Sequence, residues 1–328
     1  MRIARWTVGL VLLAASAIGA EGDPKDLFAA PVALADAAGV ALTTGQAQGC
    51  PFAADYNGDG KTDLILGAKL GMDSSRGGIW LIPNKGSNEQ PAFAWADGWR
   101  VKLEGATELS VGCGCKSSGQ VQPVAVDWNG DGYLDLVYSD TYQRAYLLLN
   151  DGKSREQPSF KQEVFFDMEK KNHGMYAGGG DWNGDGVLDF LHMTFAGAQF
   201  KVFKGTAHGS GGIKFTEGGL PMAEVLKFHG ERPRKCAWAW DYSGTSKSRG
   251  VIEFVGVAKR AEGGEEIAYY ELANGESKKL ATLVVPDGQT PLLTACDLNA
   301  DGKKDLLYSC GLWNNEREKT KVYVMYGK

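Results

Sequence analysis

A nine-residue acidic pattern returns five times along this chain, and no other feature limits the possible folds as much. It reads Asp55-Tyr-Asn-Gly-Asp-Gly-Lys-Thr-Asp63, Asp127-Trp-Asn-Gly-Asp-Gly-Tyr-Leu-Asp135 and Asp181-Trp-Asn-Gly-Asp-Gly-Val-Leu-Asp189. A degraded Asp241-Tyr-Ser-Gly-Thr-Ser-Lys-Ser-Arg249 follows, then Asp297-Leu-Asn-Ala-Asp-Gly-Lys-Lys-Asp305. Successive first aspartates lie 72, 54, 60 and 56 residues apart. A period near sixty, held through five copies, implies an array of equivalent supersecondary units.

The flanks repeat as well. Apolar strands follow each string at Leu64–Leu66, Leu136–Tyr138, Phe190-Leu191, Val251-Ile252 and Leu306–Tyr308. Second strands follow at Ile79–Ile82, Tyr146–Leu149, Phe200–Phe203, Ile267–Tyr270 and Val322–Tyr326. The turn Asn84–Phe93 recurs as Asn150–Phe160. With the strand before each string, every unit holds four short strands, as a propeller blade does. The 45 glycines, without a collagen period, suit an all-β chain rich in turns. The fifth copy stops after its third strand at Lys328, while Asp26–Thr44 precedes the first copy with apolar stretches at Leu27-Phe28 and Val40–Leu42. That segment is expected to supply the missing outer strand of the last blade, tying the ring shut. The predicted fold is an all-β, five-bladed β-propeller of four-stranded blades, a single domain over residues 21–328. Seven blades are the alternative, although the spacing leaves little room for two more.

Arg2 and Arg5 precede an apolar run, Trp6–Ile18, that ends in Gly19-Ala20. This is the pattern of a secretory signal over residues 1–20, too short for a membrane span of ~20 residues. The mature chain is expected in the periplasm, at the cell surface or outside, with no integral membrane segment. A net charge of −5, spread over 23% charged residues, leaves no basic footprint for nucleic acid.

The odd positions of each string carry oxygen donors, and the intervening glycines permit the positive φ of a tight wrap. Position seven varies, as it would if only its carbonyl served. The predicted metal ligands are Asp55, Asn57, Asp59, Lys61 and Asp63; Asp127, Asn129, Asp131, Tyr133 and Asp135; Asp181, Asn183, Asp185, Val187 and Asp189; Asp297, Asn299, Asp301, Lys303 and Asp305. All-oxygen, irregular cages favour Ca²⁺ over magnesium, zinc or copper. An EF-hand is excluded, since position twelve is Leu66, Tyr138, His192 or Tyr308 rather than glutamate. A metal-free Asx-rich turn is the competing reading. The fourth copy lost its Asn, its second Asp and its final Asp and gained Lys247 and Arg249, so a side-chain cation is expected there and four ions in all.

The run D-x-N-G-D-G-x-x-D-L followed by a strand resembles the FG-GAP/VCBS repeat of integrin-type propellers. The resemblance implies structural calcium loops between first and second strands, on the face away from any ligand. Integrin members have seven blades, so five copies depart from that pattern. It fixes no single function.

The opposite face should carry the links Lys69–Arg76, Glu104–Gln122, Asp140–Arg144, Glu169–Tyr176, Lys227–Cys236, Ala258–Glu266 and Cys310–Glu318. The basic stretch Lys227–Lys235, with Arg144, Lys170, Lys171 and His173, suggests a rim for an acidic glycan, with Tyr142, Tyr176 and Trp313 as stacking partners. His173, Tyr176, His229 and Arg232 are the catalytic candidates, as base and carboxylate-neutralising groups of a polysaccharide lyase. A glycosidase needs two carboxylates facing a cleft, and the acids that can be placed are largely assigned to calcium. No nucleophile, zincin or phosphate-loop motif appears. The sequence therefore points to a non-catalytic recognition module for a glycan or extracellular protein, with a lyase acting on a uronate or sulfated polysaccharide as the alternative. Six cysteines, Cys50, Cys113, Cys115, Cys236, Cys296 and Cys310, suggest disulfides in an exported chain, Cys50 with Cys113 or Cys115 among them. A thiolate metal site is the other possibility.

Overall fold

Every acidic string sits at a corner between two antiparallel strands, and those corners divide the chain into units. The computed structural model describes residues 23–43, 49–69, 76–105, 107–112, 121–139, 144–167, 176–182, 188–193, 200–203, 206–207, 213–214, 224–226, 229–231, 233, 235–284, 291–310 and 321–328. A short N-terminal strand, β1 (Val32–Ala33), precedes unit A, which holds β2 (Cys50–Ala54), β3 (Asp63–Lys69), β4 (Arg76–Ile82) and β5 (Trp99–Arg100). Unit B holds β6 (Gln122–Val126), β7 (Asp135–Ser139), β8 (Arg144–Asn150) and β9 (Ser159–Asp167). Unit C holds β10 (Tyr176–Gly180), β11 (Asp189–Met193), β12 (Phe200–Phe203) and β13 (Glu224–Leu226). Unit D holds β14 (Lys235–Ala239), β15 (Ile252–Lys259), β16 (Glu265–Ala273) and β17 (Glu276–Val284). Unit E holds β18 (Pro291–Cys296), β19 (Asp305–Cys310) and β20 (Val322–Met325). Within each unit the strands pair in sequence order as an antiparallel meander. The fold is an all-β propeller.

The N-terminal segment completes unit E. β1 pairs antiparallel with β20, Val32 opposite Val324 and Ala33 opposite Tyr323. The two-residue strand lies between the apolar stretches flagged in the sequence, and those stretches pair too: Phe28 bridges Gly327, and the Val322 amide donates to the Leu42 carbonyl. Phe28 and Leu42, each 3% exposed, are buried anchors on its flanks, whereas Val40 is 65% exposed. Burial of those two side chains sets where the strand can lie.

The first strand of each unit lies toward the centre. β2 runs beside β6 on one side and β18 on the other; β18 neighbours β14, and β14 neighbours β10. All six residues of β18 are buried, so its near-continuous apolar run needs no alternation. The outer strand β17 mixes buried Ser277 and Ala281 with exposed Glu276 and Lys278. Trp238 of β14 is fully buried; its ring meets Phe52 of β2 at 6.1 Å, and its Nε1 donates to the Leu293 carbonyl of β18 at 2.9 Å. Thr294 Oγ1 donates to the Pro51 carbonyl. Side chains thus fill the middle of the ring.

Units C and D are joined more intimately. β10 and β14 pair in parallel, Gly179 opposite Trp238 and Gly180 opposite Ala239, which merges the two units into one nine-stranded sheet. Gly178 makes that approach possible: a Cβ there would stand 1.9 Å from the Ala237 carbonyl oxygen. Trp182 packs between the same units, its ring 5.5 Å from Phe254. Among the described residues no helix is long and apolar enough to cross a membrane. The expected signal, residues 1–20, lies outside them.

Candidate functional site

The acidic corners use their oxygens in a repeated way. In unit A, Asp55 Oδ1 accepts the amides of Gly58 and Asp59 at 2.7 and 3.1 Å, and Oδ2 accepts that of Gly60 at 2.9 Å. Asp127 does the same for Gly130, Asp131 and Gly132, and Asp297 for Asp301 and Gly302. Asn57 and Asn129 each accept the amide two residues on, as Asx turns do. Gly58, Gly60, Gly130 and Gly132 all have φ between 73° and 85°, the wrap the sequence predicts. In unit C only Asp181, Trp182, Leu188 and Asp189 are described; Asn183, Asp185 and Val187 lie outside the described residues.

The ninth aspartates do a different job. Asp63, Asp135, Asp189 and Asp305 are all fully buried. Asp135 accepts the Trp128 amide through Oδ2 and the Asn150 amide through Oδ1, at 2.9 and 2.7 Å. Asp305 likewise clasps Leu298 and Gly327, and Asp189 accepts from Trp182. Asp135 and Asp305 thus tie the start of their strings to the end of the third strand or the residues just after it. In unit A, Oδ1 of Asp63 accepts from Asn84, but its buried Oδ2 has no hydrogen-bond partner. Burial, reinforced by Asp59 and Asp55, pushes Asp63 up to about 7 against the Asn84 hydrogen bond; burial likewise pushes Asp135 and Asp305 up to about 6.

Among the described residues no three acidic, histidine or thiol groups converge as a ready metal cluster. The donor set nevertheless fits a hard cation. It is all oxygen, a carboxylate oxygen that accepts one amide keeps a second lone pair, and Asp63 Oδ2 in the same string is a buried, unmet acceptor.

Unit D solves the same problem without an acid at position nine. Arg249 ends a single helical turn, Ser246–Arg249, and its guanidinium pairs with both Glu253 and Glu271. Glu253 takes the clasp: its Oε2 accepts the Ser243 amide at 2.8 Å and its Oε1 the Ser243 hydroxyl. Asp241 Oδ1 accepts from Ser246. The side-chain cation expected from the sequence is therefore Arg249, 10% exposed. The acid that anchors the unit, Glu253, stands four residues later, where the spacing gave no hint of it.

At the opposite end of the ring, most of the predicted functional residues fall outside the described set. His173, Arg232, Tyr142, Trp313, Lys170 and Lys171 are all among them, as are Cys113 and Cys115. Two candidates have described backbones. Tyr176 opens the inner strand β10, paired with Met193, whereas His229 pairs with Glu276 on the outermost edge of unit D. The backbone thus separates two members of the expected catalytic quartet radially. Cys236 sits at a bulge in β14 with φ of 48°, and Cys296 is a buried thiol whose pKa burial pushes up.

Two family models match the chain: an FG-GAP repeat over residues 52–82 and an FG-GAP-like repeat over residues 127–192. No curated protein sequence matches it. Solved structures match over almost the whole length. A β-xylosidase, RS223, is 12% identical, covers 90% of this chain and 94% of its own, and has a TM-score of 0.53. The catalytic domain of a GH62 α-L-arabinofuranosidase from Coprinopsis cinerea is 9% identical over 93% and 98%, with a TM-score of 0.52. A GH43 β-xylosidase/α-arabinofuranosidase from a compost microbial metagenome, solved with xylotriose, is 12% identical over 87% and 92%, with a TM-score of 0.51. The likeness is one of fold.

It corrects the functional expectation. The matching propellers are glycoside hydrolases, a finding that runs against both the expected non-catalytic recognition module and the expected polysaccharide lyase. A glycosidase drew little weight from the sequence for a physical reason. Catalytic acids on a ring come from separate links between strands, with no fixed spacing that a motif search detects, while the calcium-type strings drew every conspicuous acid to themselves.

Proposed function

We propose that this chain, two stretches of which match FG-GAP-type repeats, is a glycoside hydrolase. It acts on a neutral, pentose-containing oligosaccharide at the end of the ring where the inner strands begin. The observation that carries this reading is the fold, shared over roughly nine-tenths of both chains with xylosidases and an arabinofuranosidase. Glycosidic hydrolysis needs a carboxylic acid to protonate the leaving oxygen and a carboxylate for water or the anomeric carbon. By sequence, Asp73, Asp140 and Glu169 fall in links between strands, outside the described residues. These are the residues to substitute first.

Calcium enters this reading as a brace. Asp55, Asn57, Asp59, the Lys61 carbonyl and Asp63 would hold one ion, with the matching positions of units B, C and E holding three more. These corners lie at the far end from the proposed chemistry, so the ion would hold strands and take no part in the reaction.

The decisive assay incubates the purified chain with 4-nitrophenyl xyloside, 4-nitrophenyl arabinofuranoside and xylotriose. Release of nitrophenol or shorter sugars, lost when Asp73, Asp140 or Glu169 becomes alanine, is the expected result. No turnover of any neutral glycoside by the calcium-loaded chain would overturn the proposal.

A further inference from the structure

Gln122 begins the inner strand β6 of unit B, backbone-paired with Ser139. Its side chain does not stay in that unit. Nε2 is directed at the Leu293 carbonyl of unit E at 3.5 Å, a long contact to an oxygen that already accepts the Trp238 indole at 2.9 Å. β2 of unit A neighbours both β6 and β18, so the amide links units that flank unit A. It is 3% exposed, and its Oε1 is buried with no hydrogen-bond partner.

The repeat makes this residue stand out. Five positions before each first aspartate, the inner strands carry Cys50, Gln122, Tyr176, Cys236 and Leu292. Gln122 is the one amide in that set. A buried acceptor left unmet destabilises the folded chain, and an apolar side chain of the same size would remove the penalty. Stability does not explain glutamine here. A binding role does, because sites that carry function retain groups which stability alone would replace.

We propose that Gln122 is a ligand-contact residue at the start of the inner strand of unit B, whose Oε1 accepts one hydroxyl of a neutral sugar. This rests on the glycosidase reading and narrows it. With Nε2 turned to Leu293, the amide presents an acceptor, which suits a hydroxyl and disfavours the carboxylate of a uronate. Its burial admits a single small donor. Gln122 touches the ligand in this proposal and takes no part in proton transfer.

The test compares the wild-type chain with Gln122→Leu and Gln122→Met, measuring xylotriose affinity by calorimetry and thermal melting in parallel. The expected result is an affinity for xylotriose at least about tenfold weaker in both variants, with melting temperatures equal to or above wild type. In turnover, KM should rise more than kcat falls. Wild-type affinity in either folded variant would overturn the inference alone. Unchanged affinity with lower melting in both would show that Oε1 serves a structural water, and would overturn it too. Absence of xylotriose binding by the wild-type chain would overturn the glycosidase reading and this inference with it.

Discussion

Ala300 stands in the fifth string where the first two have glycine, yet it adopts the same left-handed backbone: φ is 57°, against 73° at Gly58 and 74° at Gly130. An L-residue with a Cβ is strained there by about 1 kcal/mol. Ala300→Gly should raise the urea midpoint by an amount equivalent to about 0.5–1 kcal/mol at unchanged slope. A lower midpoint would show that the corner holds its shape for some other reason. Arg249 carries more. Its guanidinium is shared by Glu253 and Glu271, with side-chain exposures of 10%, 0% and 11%. Arg249→Met would leave two buried carboxylates facing each other, and breaking such a pair costs about 3–5 kcal/mol. Denaturant unfolding should register that loss, and Arg249→Met/Glu253→Leu/Glu271→Leu should recover much of it. A single variant as stable as wild type would show that the cluster is not holding unit D.

Strands and corners show a clear division between what was legible and what was not. Asx-turn chemistry and the two glycines announced the corners, because those contacts are made within nine residues. The turn after the third strand was visible as a repeat, but its purpose emerged only in space. Asn88 donates to the Gly60 carbonyl and accepts from Thr62, while its counterpart Arg155 donates to the Gly132 carbonyl at 3.1 Å and lies over the Tyr133 ring at 4.4 Å. Two different side chains do equivalent work, so sequence similarity alone did not pair them. The parallel join of β10 to β14 was not legible at all. Its only trace was the run Gly178-Gly179-Gly180, which reads equally well as a loop. Gly178→Ala would place a methyl 1.9 Å from the Ala237 carbonyl oxygen. The expected loss is about 3 kcal/mol or more, seen as a lower melting temperature with early exposure of Trp182 and Trp238 fluorescence. Wild-type melting would mean that the two units separate at little penalty.

For the whole molecule, the acidic corners and the catalytic proposal belong to opposite ends of the ring, and that separation is testable. If calcium braces the corners, chelation should lower the melting temperature, by an amount set by free ion concentration over affinity. Residual activity at low temperature should survive. Melting that is indifferent to chelator would remove calcium from the account and leave the hydrogen-bonded Asx corners to stand alone.

Repetition, spacing and turn chemistry by themselves determined that the chain forms a ring of small antiparallel sheets, because each unit's contacts are mostly local and recur with the period. Which N-terminal residues complete the last sheet, which acid anchors unit D and which side chains meet at the centre were decided by tertiary structure. Those contacts join residues up to hundreds of positions apart, such as Thr294 with Pro51 and Gln122 with Leu293, and their energy depends on shape and burial that no spacing records.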